Sequence, residues 1–295
     1  MKLAFVGASG YGNTGDDTYP LVLQQHLAEH ELLFYNSDLP ASLPEDLSAV
    51  IIGCGGLIHN AGSTPLSAPS HHVQCLSHYL KWAKERGIPW GFVSCGVQIR
   101  PEHEGVVSEV LAPWIPWLKG AKFITMRSPD CVHVIEALTG RSDVRFFPDL
   151  GYLFRPSVPP SAPEPVATFI IGGAVNPRDM FCKHLFKLFG SVHHRIVWLS
   201  MGAGVDDDGY IADVHRAYPA HGVIASPTPE EAYRQVAASR FVVTGRYHGM
   251  VFARSRGVPF FVPEDSPWKI RRENFDADML AASGHIKALC EALEG

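Results

Sequence analysis

Short, continuous apolar runs alternate along nearly the whole chain with longer stretches whose apolar positions recur every three or four residues. Runs so short suit strands covered on both faces, and the stretches between them suit amphipathic helices, so the pattern predicts a parallel α/β architecture. In the first half it predicts strands at 3–6, 32–35, 50–52, 90–94, 123–126 and 144–147, and helices near 17–29, 71–86, 105–119 and 130–138. In the second half strands are predicted at 167–171, 196–200, 223–225, 241–244 and 259–262, and helices near 180–189, 211–217, 229–238 and 250–256, with a helical tail over 267–295.

The segment 156–165, Pro-Ser-Val-Pro-Pro-Ser-Ala-Pro-Glu-Pro, interrupts this rhythm. Prolines at this density remove hydrogen-bond donors and fix an extended backbone, so it predicts a semi-rigid linker. The expected organisation is a first α/β domain over 1–155, the linker over 156–165, and a second α/β domain with C-terminal helices over 166–295. A length of 295 residues suits two such cores. Two facing domains would set a ligand cleft where their strand C-terminal ends point.

Composition narrows the partners. Hydrophobic residues make up 46% of the chain and charged residues 19%, a globular balance. A formal net charge of −5 gives no basic surplus for nucleic acid, so any anionic ligand must be gripped by a few local cations. The opening Met1-Lys2-Leu3-Ala4-Phe5-Val6-Gly7 reads as a first strand, too short in apolar length for a secretion signal. No run approaches the roughly 18 apolar residues of a spanning helix. Cys54, Cys75, Cys95, Cys131, Cys182 and Cys290 are scattered without a C-x-x-C pair, as expected of reduced thiols. The expected location is the cytoplasm, with membrane contact at most peripheral, at the inner face of the cell membrane.

The loop after the first strand contains Gly10, Gly12 and Gly15 in G-x-G-x-x-G spacing, with Asp38 where a ribose-binding acid would stand. Asp16 and Asp17 at the start of the following helix would repel the pyrophosphate that such a helix end attracts. The glycines therefore predict close backbone approach to something other than a dinucleotide. Taken alone, Asp16 is an ordinary helix cap.

Further segments add to this loop: Gly53-Cys54-Gly55-Gly56 after a strand, Met126-Arg127 at a strand end, and Pro148-Asp149. The most specific is Thr244-Gly245-Arg246-Tyr247-His248-Gly249, continuing to Gly257-Val258-Pro259. Together with Gly12-Asn13-Thr14-Gly15-Asp16, this ordered set resembles the polysaccharide pyruvyl transferase family from about residue 7 to 265. The resemblance implies two Rossmann-like domains facing each other across a cleft, in a GT-B-like arrangement. It implies transfer of a pyruvyl group from phosphoenolpyruvate onto two hydroxyls of a sugar or lipid-linked glycan, as a ketal, with release of phosphate and no cofactor beyond that donor. The positions carried over are Asp16, Arg127, Arg246 and His248, with Asn13, Gly15, Gly55, Gly56 and Tyr247 as further substrate contacts. Tyr247 stands where the family usually has Leu, and Cys54 interrupts the glycine turn. Ser128 follows Arg127 where the family often has an acid, which leaves the ion pair of that arginine open.

The chemistry fits these residue types. Arginine binds both carboxylate and phosphate bidentately, so Arg127 and Arg246, at strand ends in opposite domains, are expected to converge on the donor; the plain alternative for each is an ion pair. Ketal formation needs a proton on the enol carbon, which His248 can deliver beside a bound phosphate. Asp16 is either a base for a sugar hydroxyl or an acceptor that orients it. No metal is expected: His71-His72 and His193-His194 lack a third ligand, and Asp206-Asp207-Asp208 reads as a solvated loop and helix cap before the helix at 211–217. Arg271-Arg272, near Trp268 and Lys269, reads as a basic helix face, or as a contact for the diphosphate of a lipid-linked acceptor or for an anionic membrane. The competing functions are a GT-B glycosyltransferase using a nucleotide sugar and a non-catalytic protein that binds a glycan or metabolite. The sequence says nothing of oligomeric state.

Overall fold

A computed structural model describes residues 1–37, 41–157, 164–172, 175–176, 180–191, 195–202, 207–263 and 279–294. Asp38, His193-His194, Asp206 and 264–278, with the Trp268–Arg272 cluster, lie outside the described residues, as do 158–163 of the expected linker.

The chain divides into two compact units. The first is formed by Met1–Ser9, Tyr19–Leu153 and Phe275–Gly295. Its strands are β1 (Lys2–Gly7), β2 (Glu31–Asn36), β3 (Ala49–Ile58), β4 (Trp90–Val97), β5 (Phe123–Met126) and β6 (Arg145–Phe146). They form one parallel sheet in the order β2-β1-β3-β4-β5-β6. Leu3, Phe5, Val50, Ile52, Phe92 and Ile124 on the inner strands are buried, as a sheet covered on both faces requires. The helices are α1 (Thr18–His26), α2 (His71–Glu85), α3 (Val107–Val110), α4 (Ile115–Gly120) and α5 (Pro129–Thr139). On α2, Val73, Leu76, Tyr79, Leu80 and Ala83 recur at helical spacing and form the buried stripe, and Ser70 caps its start.

Two predicted elements take another form. The helix expected over 105–119 is broken into a 3-10 segment Pro101–Val106, α3, a second 3-10 segment Ala112–Trp114, and α4. Pro113 and Pro116 each remove a backbone donor there, so a continuous ladder cannot form. The glycine turn expected after residue 52 lies inside β3, which runs on to Ile58. Gly55 has φ 106°, a left-handed conformation that suits glycine, and the register with β4 shifts between Gly55 and Ile58.

The tail also departs from the expected division. The C-terminal helix Gly284–Glu294 belongs to the first unit, not to the second. His285 is buried, with Nδ1 2.8 Å from Thr125 Oγ1 and Nε2 3.0 Å from the Pro148 carbonyl, and Arg145 pairs with Glu291 at 2.8 Å. An apolar stripe on a helix states that it will be buried, but not in which core.

The second unit is formed by Gly10–Thr18 and Phe154–Asn274. Its strands are β7 (Val166–Ile170), β8 (Arg195–Leu199), β9 (Gly222–Ile224), β10 (Phe241–Thr244) and β11 (Phe260–Phe261), and its helices α6 (Met180–Ser191), α7 (Asp207–Ala217), α8 (Pro229–Ala238) and α9 (Tyr247–Ser255). The strands pair in parallel in the order β11-β10-β7-β8-β9 around a core that includes Phe169, Trp198, Val214 and Val243. Helix α8 carries a reciprocal cap between Thr228 and Glu231, with Pro229 in its first turn. Among the described residues no helix is long and apolar enough to cross a membrane.

Candidate active site

In the second sheet the strand order reverses between β7 and β10, the place where doubly wound folds bind ligands beyond the strand C-terminal ends. Arg246 stands just after β10, at the position preceding α9, with no side-chain cap of its own. Its side chain reaches across the end of β7 toward β8. Nε donates to the Ile171 carbonyl at 3.1 Å, and Nη2 donates to Asp207 Oδ1 at 2.5 Å. A Cβ at Gly172 or Gly202 would collide with the Arg246 side chain, so these two glycines clear its path.

Asp207 opens α7 and its side chain is 2% exposed, against 29% for Arg246. Its Oδ2 accepts from Ser200 Oγ at 3.2 Å, and the Gly202 N–H also donates to it. Burial pushes the Asp207 carboxyl above its ordinary pKa, while Arg246 pulls it back. Among the described residues no hydrogen bond engages Nη1 of Arg246.

The glycine loop joins this unit. Asn13 forms an antiparallel bridge with Gly202, Thr14 N donates to the Met201 carbonyl at 2.9 Å, and Thr14 Oγ1 donates to the Pro227 carbonyl at 2.8 Å. These bonds seat Gly15 against the imidazole of His248, where a Cβ would overlap the ring. Asp16 Oδ1 then lies 3.9 Å from His248 Nδ1, while its Oδ2 accepts from Asn13 Nδ2 at 2.6 Å. Asp16 is therefore engaged by side chains that a simple helix cap would not need. Its neighbour Asp17 accepts from the Gly10 N–H at 2.6 Å and is raised in pKa by burial, with that hydrogen bond opposing and Asp16 adding to the shift.

Helix α9 starts three residues earlier than the pattern predicts, which places Tyr247 and His248 in its first turn. His248 is buried. Tyr247 is 4% exposed and sets its ring edge-on to the imidazole at 5.4 Å. It thus backs the histidine.

In the first unit Arg127 follows β5. It forms the ion pair that was its plain alternative: its side chain is 1% exposed, and Nη1 lies 3.2 Å from Asp149 Oδ2, whose own side chain is 0% exposed. Tyr19 donates its hydroxyl to the same Asp149 oxygen at 2.9 Å, and Gly151 N donates to Oδ1 at 2.7 Å. The acid absent at Ser128 is thus replaced by Asp149, and Ser128 instead caps α5 by accepting from Cys131 N at 3.2 Å. Gly56 is bare because Gln98 lies against it, donating to its carbonyl at 2.5 Å.

The structure brings together Asn13, Gly15, Asp16, Arg246, Tyr247 and His248 within the second unit, and holds Arg127, Gly55 and Gly56 in the first. Sequence reasoning missed Asp207 and Ser200. The triplet 206–208 read as solvated, but Asp207 is buried against Arg246. The available signal was position: an acid opening a helix just after a strand that lies near the one carrying the arginine. Among the described residues no group of three or more His, Cys, Asp or Glu is placed to hold a metal ion.

The likenesses of the chain agree with this picture. The chain belongs to the polysaccharide pyruvyl transferase family, whose family model matches residues 13–262. No curated protein matches it. Among solved structures it is similar to the UDP-GlcNAc 2-epimerase of Methanocaldococcus jannaschii in complex with UDP-GlcNAc and UDP, at 10% identity and a TM-score of 0.56 over 100% of this chain and 93% of that one. The corresponding enzyme of Rickettsia bellii gives 7% identity and a TM-score of 0.58, with 100% and 97% covered. Anabaena HepE in complex with UDP-glucose gives 9% and 0.52, with 100% and 95% covered. At such identities the likeness shows the fold alone: α/β, with two Rossmann-like domains of the GT-B-like class.

Proposed function

We propose that the protein transfers the pyruvyl group of phosphoenolpyruvate onto two hydroxyls of a sugar in a glycan or glycolipid precursor. The observation that carries this reading is the gathering of Asp16, Arg246 and His248 at the switch point of one sheet, in a member of this family. Arg246 offers an oxyanion-binding group, and His248, beside it in sequence and facing Asp16, supplies a proton.

In the reaction the enol CH2 carbon gains one proton and becomes a methyl group. The adjacent carbon accepts two sugar oxygens, and its bond to the phosphate oxygen breaks. Two hydroxyl protons are released; the first balances the proton given to carbon, and the second leaves with phosphate. His248 is the proton donor to carbon in this scheme. Asp16 either takes a hydroxyl proton or orients the hydroxyl. Asn13 holds Asp16, Gly15 admits His248, and Tyr247 backs its ring. Gly55 offers bare backbone on β3 for a ligand, whereas the space beside Gly56 is filled by Gln98. Arg127 has a lesser part, since its side chain is buried and already paired with Asp149. The reaction is placed in the cytoplasm, with membrane contact at most peripheral.

The test is phosphate release from phosphoenolpyruvate across a panel of glycoside acceptors. Release that depends on both substrates supports the transfer. The relatives crystallised with UDP-sugars favour a second reading, a nucleotide-sugar glycosyltransferase. Thermal stabilisation by UDP-sugars with none by phosphoenolpyruvate would favour it over the first.

A further inference from the structure

We infer that Asp207 is a positioning residue for the donor's oxyanion, holding the Arg246 guanidinium so that its Nη1 edge faces the ligand. This rests on the transferase reading only for the identity of the oxyanion.

A lone arginine has four rotatable side-chain bonds, and fixing them on binding weakens affinity. Arg246 is fixed beforehand at two points of its plane, Nε on the Ile171 carbonyl at 3.1 Å and Nη2 on Asp207 Oδ1 at 2.5 Å. Asp207 is itself immobile. It opens α7, where the helix end favours a negative charge, and it receives Ser200 Oγ at 3.2 Å and the Gly202 N–H. Two donors fixed on one side of a planar group leave the opposite corner, Nη1, for a ligand. The half-open state of the pair supports this use, since Arg246 keeps 29% exposure while its partner is buried. Gly172 and Gly202 add to the argument: both lack the Cβ that would push the side chain off this path.

The parent, Asp207→Ala and Asp207→Asn are compared for donor KM, acceptor KM and turnover, and separately for affinity toward inorganic phosphate. Asp207→Ala should raise the donor KM about 10- to 100-fold, the range for loss of a charge-assisted hydrogen bond, with acceptor KM little changed. Asp207→Asn keeps an oxygen for Nη2 and should recover the donor KM to within about threefold of the parent. Affinity for phosphate should follow the same order in all three proteins. If Asp207 served only to neutralise Arg246, both variants would bind the anion as well as the parent or more tightly, and the inference would be overturned. A parent that binds phosphate with this Asp207 dependence, yet shows no reaction with phosphoenolpyruvate, would sink the transferase reading and leave the positioning role standing. Should Asp207→Ala not fold, Ser200→Ala, which loosens only Oδ2, should still weaken phosphate binding severalfold; unchanged affinity there also overturns the inference.

Discussion

Each unit places an arginine at the C-terminal end of a strand and pairs it with an aspartate from another strand's loop. Arg127 and Asp149 are 1% and 0% exposed, and Tyr19 and Gly151 share Asp149 with Arg127. Arg246 and Asp207 are 29% and 2% exposed, and only the aspartate side is closed. Each pair also has a histidine of its own unit nearby, the buried His285 beside Asp149 and Arg127, and His248 two residues beyond Arg246. The difference lies in what remains free to act. A pair closed on all sides organises strand ends, whereas a pair fixed from behind can still offer a donor to a ligand.

The largest effect expected from this contrast is on turnover. His248→Gln should slow phosphate release by about 10²- to 10⁴-fold while largely sparing donor binding, because an amide can accept a hydrogen bond but delivers no proton. His285→Gln should leave turnover near the parent value, and steady-state assays of both variants check the assignment. A flat result for His248→Gln would move the proton donor elsewhere, with Asp16 next to be tested.

Arg127→Ala should destabilise the fold by about 3–5 kcal/mol, since it strands a buried carboxylate. Arg246→Lys should cost at most about 1 kcal/mol, because an ammonium can still meet Asp207 near solvent, yet it should lose donor affinity. Urea unfolding and a donor titration of both variants would show the crossover. Equal losses of stability would erase the distinction between the pairs.

Acid should act through the closed side. Burial holds the His285 imidazole at a pKa of about 4, below its ordinary 6.5, so the folded state needs it neutral. As pH falls below 6.5 the unfolded chain takes up this proton and the folded chain does not. Stability present above 6.5 is therefore lost between there and about 4, by about 3 kcal/mol in all. His285→Gln, which can bond both Thr125 and the Pro148 carbonyl, should flatten this part of the pH profile in denaturation experiments. The smallest effect concerns the helix starts: Ser128→Ala should cost about 1 kcal/mol in melting experiments by removing the α5 cap, a service Arg246 does not perform for α9.

What could be read in advance follows the same division between local and distant causes. The strands at 123–126 and 241–244 and the helix at 229–238 were legible residue by residue, because β-branched runs, a Thr-Pro start and a Glu three residues on are local facts. Arg246, His248 and Asp16 were legible through their motifs. The partners of the two arginines were not. Asp149 and Asp207 are selected by strand order, which sets which loop lies beside which, and no local spacing encodes it. The same holds for His285, whose helix shows an apolar stripe but not its destination. The start of α9 was misplaced because no capping residue announces it.

One further consequence concerns how such a protein can be rearranged by evolution or by design. The loop Gly10–Thr18 is counted with the second unit, although β1 before it and most of α1 after it build the first. A single crossover near residue 154 would therefore not exchange one complete module for another. It would pair the Arg246 and His248 of one ancestor with the Asn13, Gly15 and Asp16 of another, and the imidazole would meet a foreign loop. Recombinants that keep activity should carry both segments from the same parent, although the two stretches lie more than 200 positions apart in the chain.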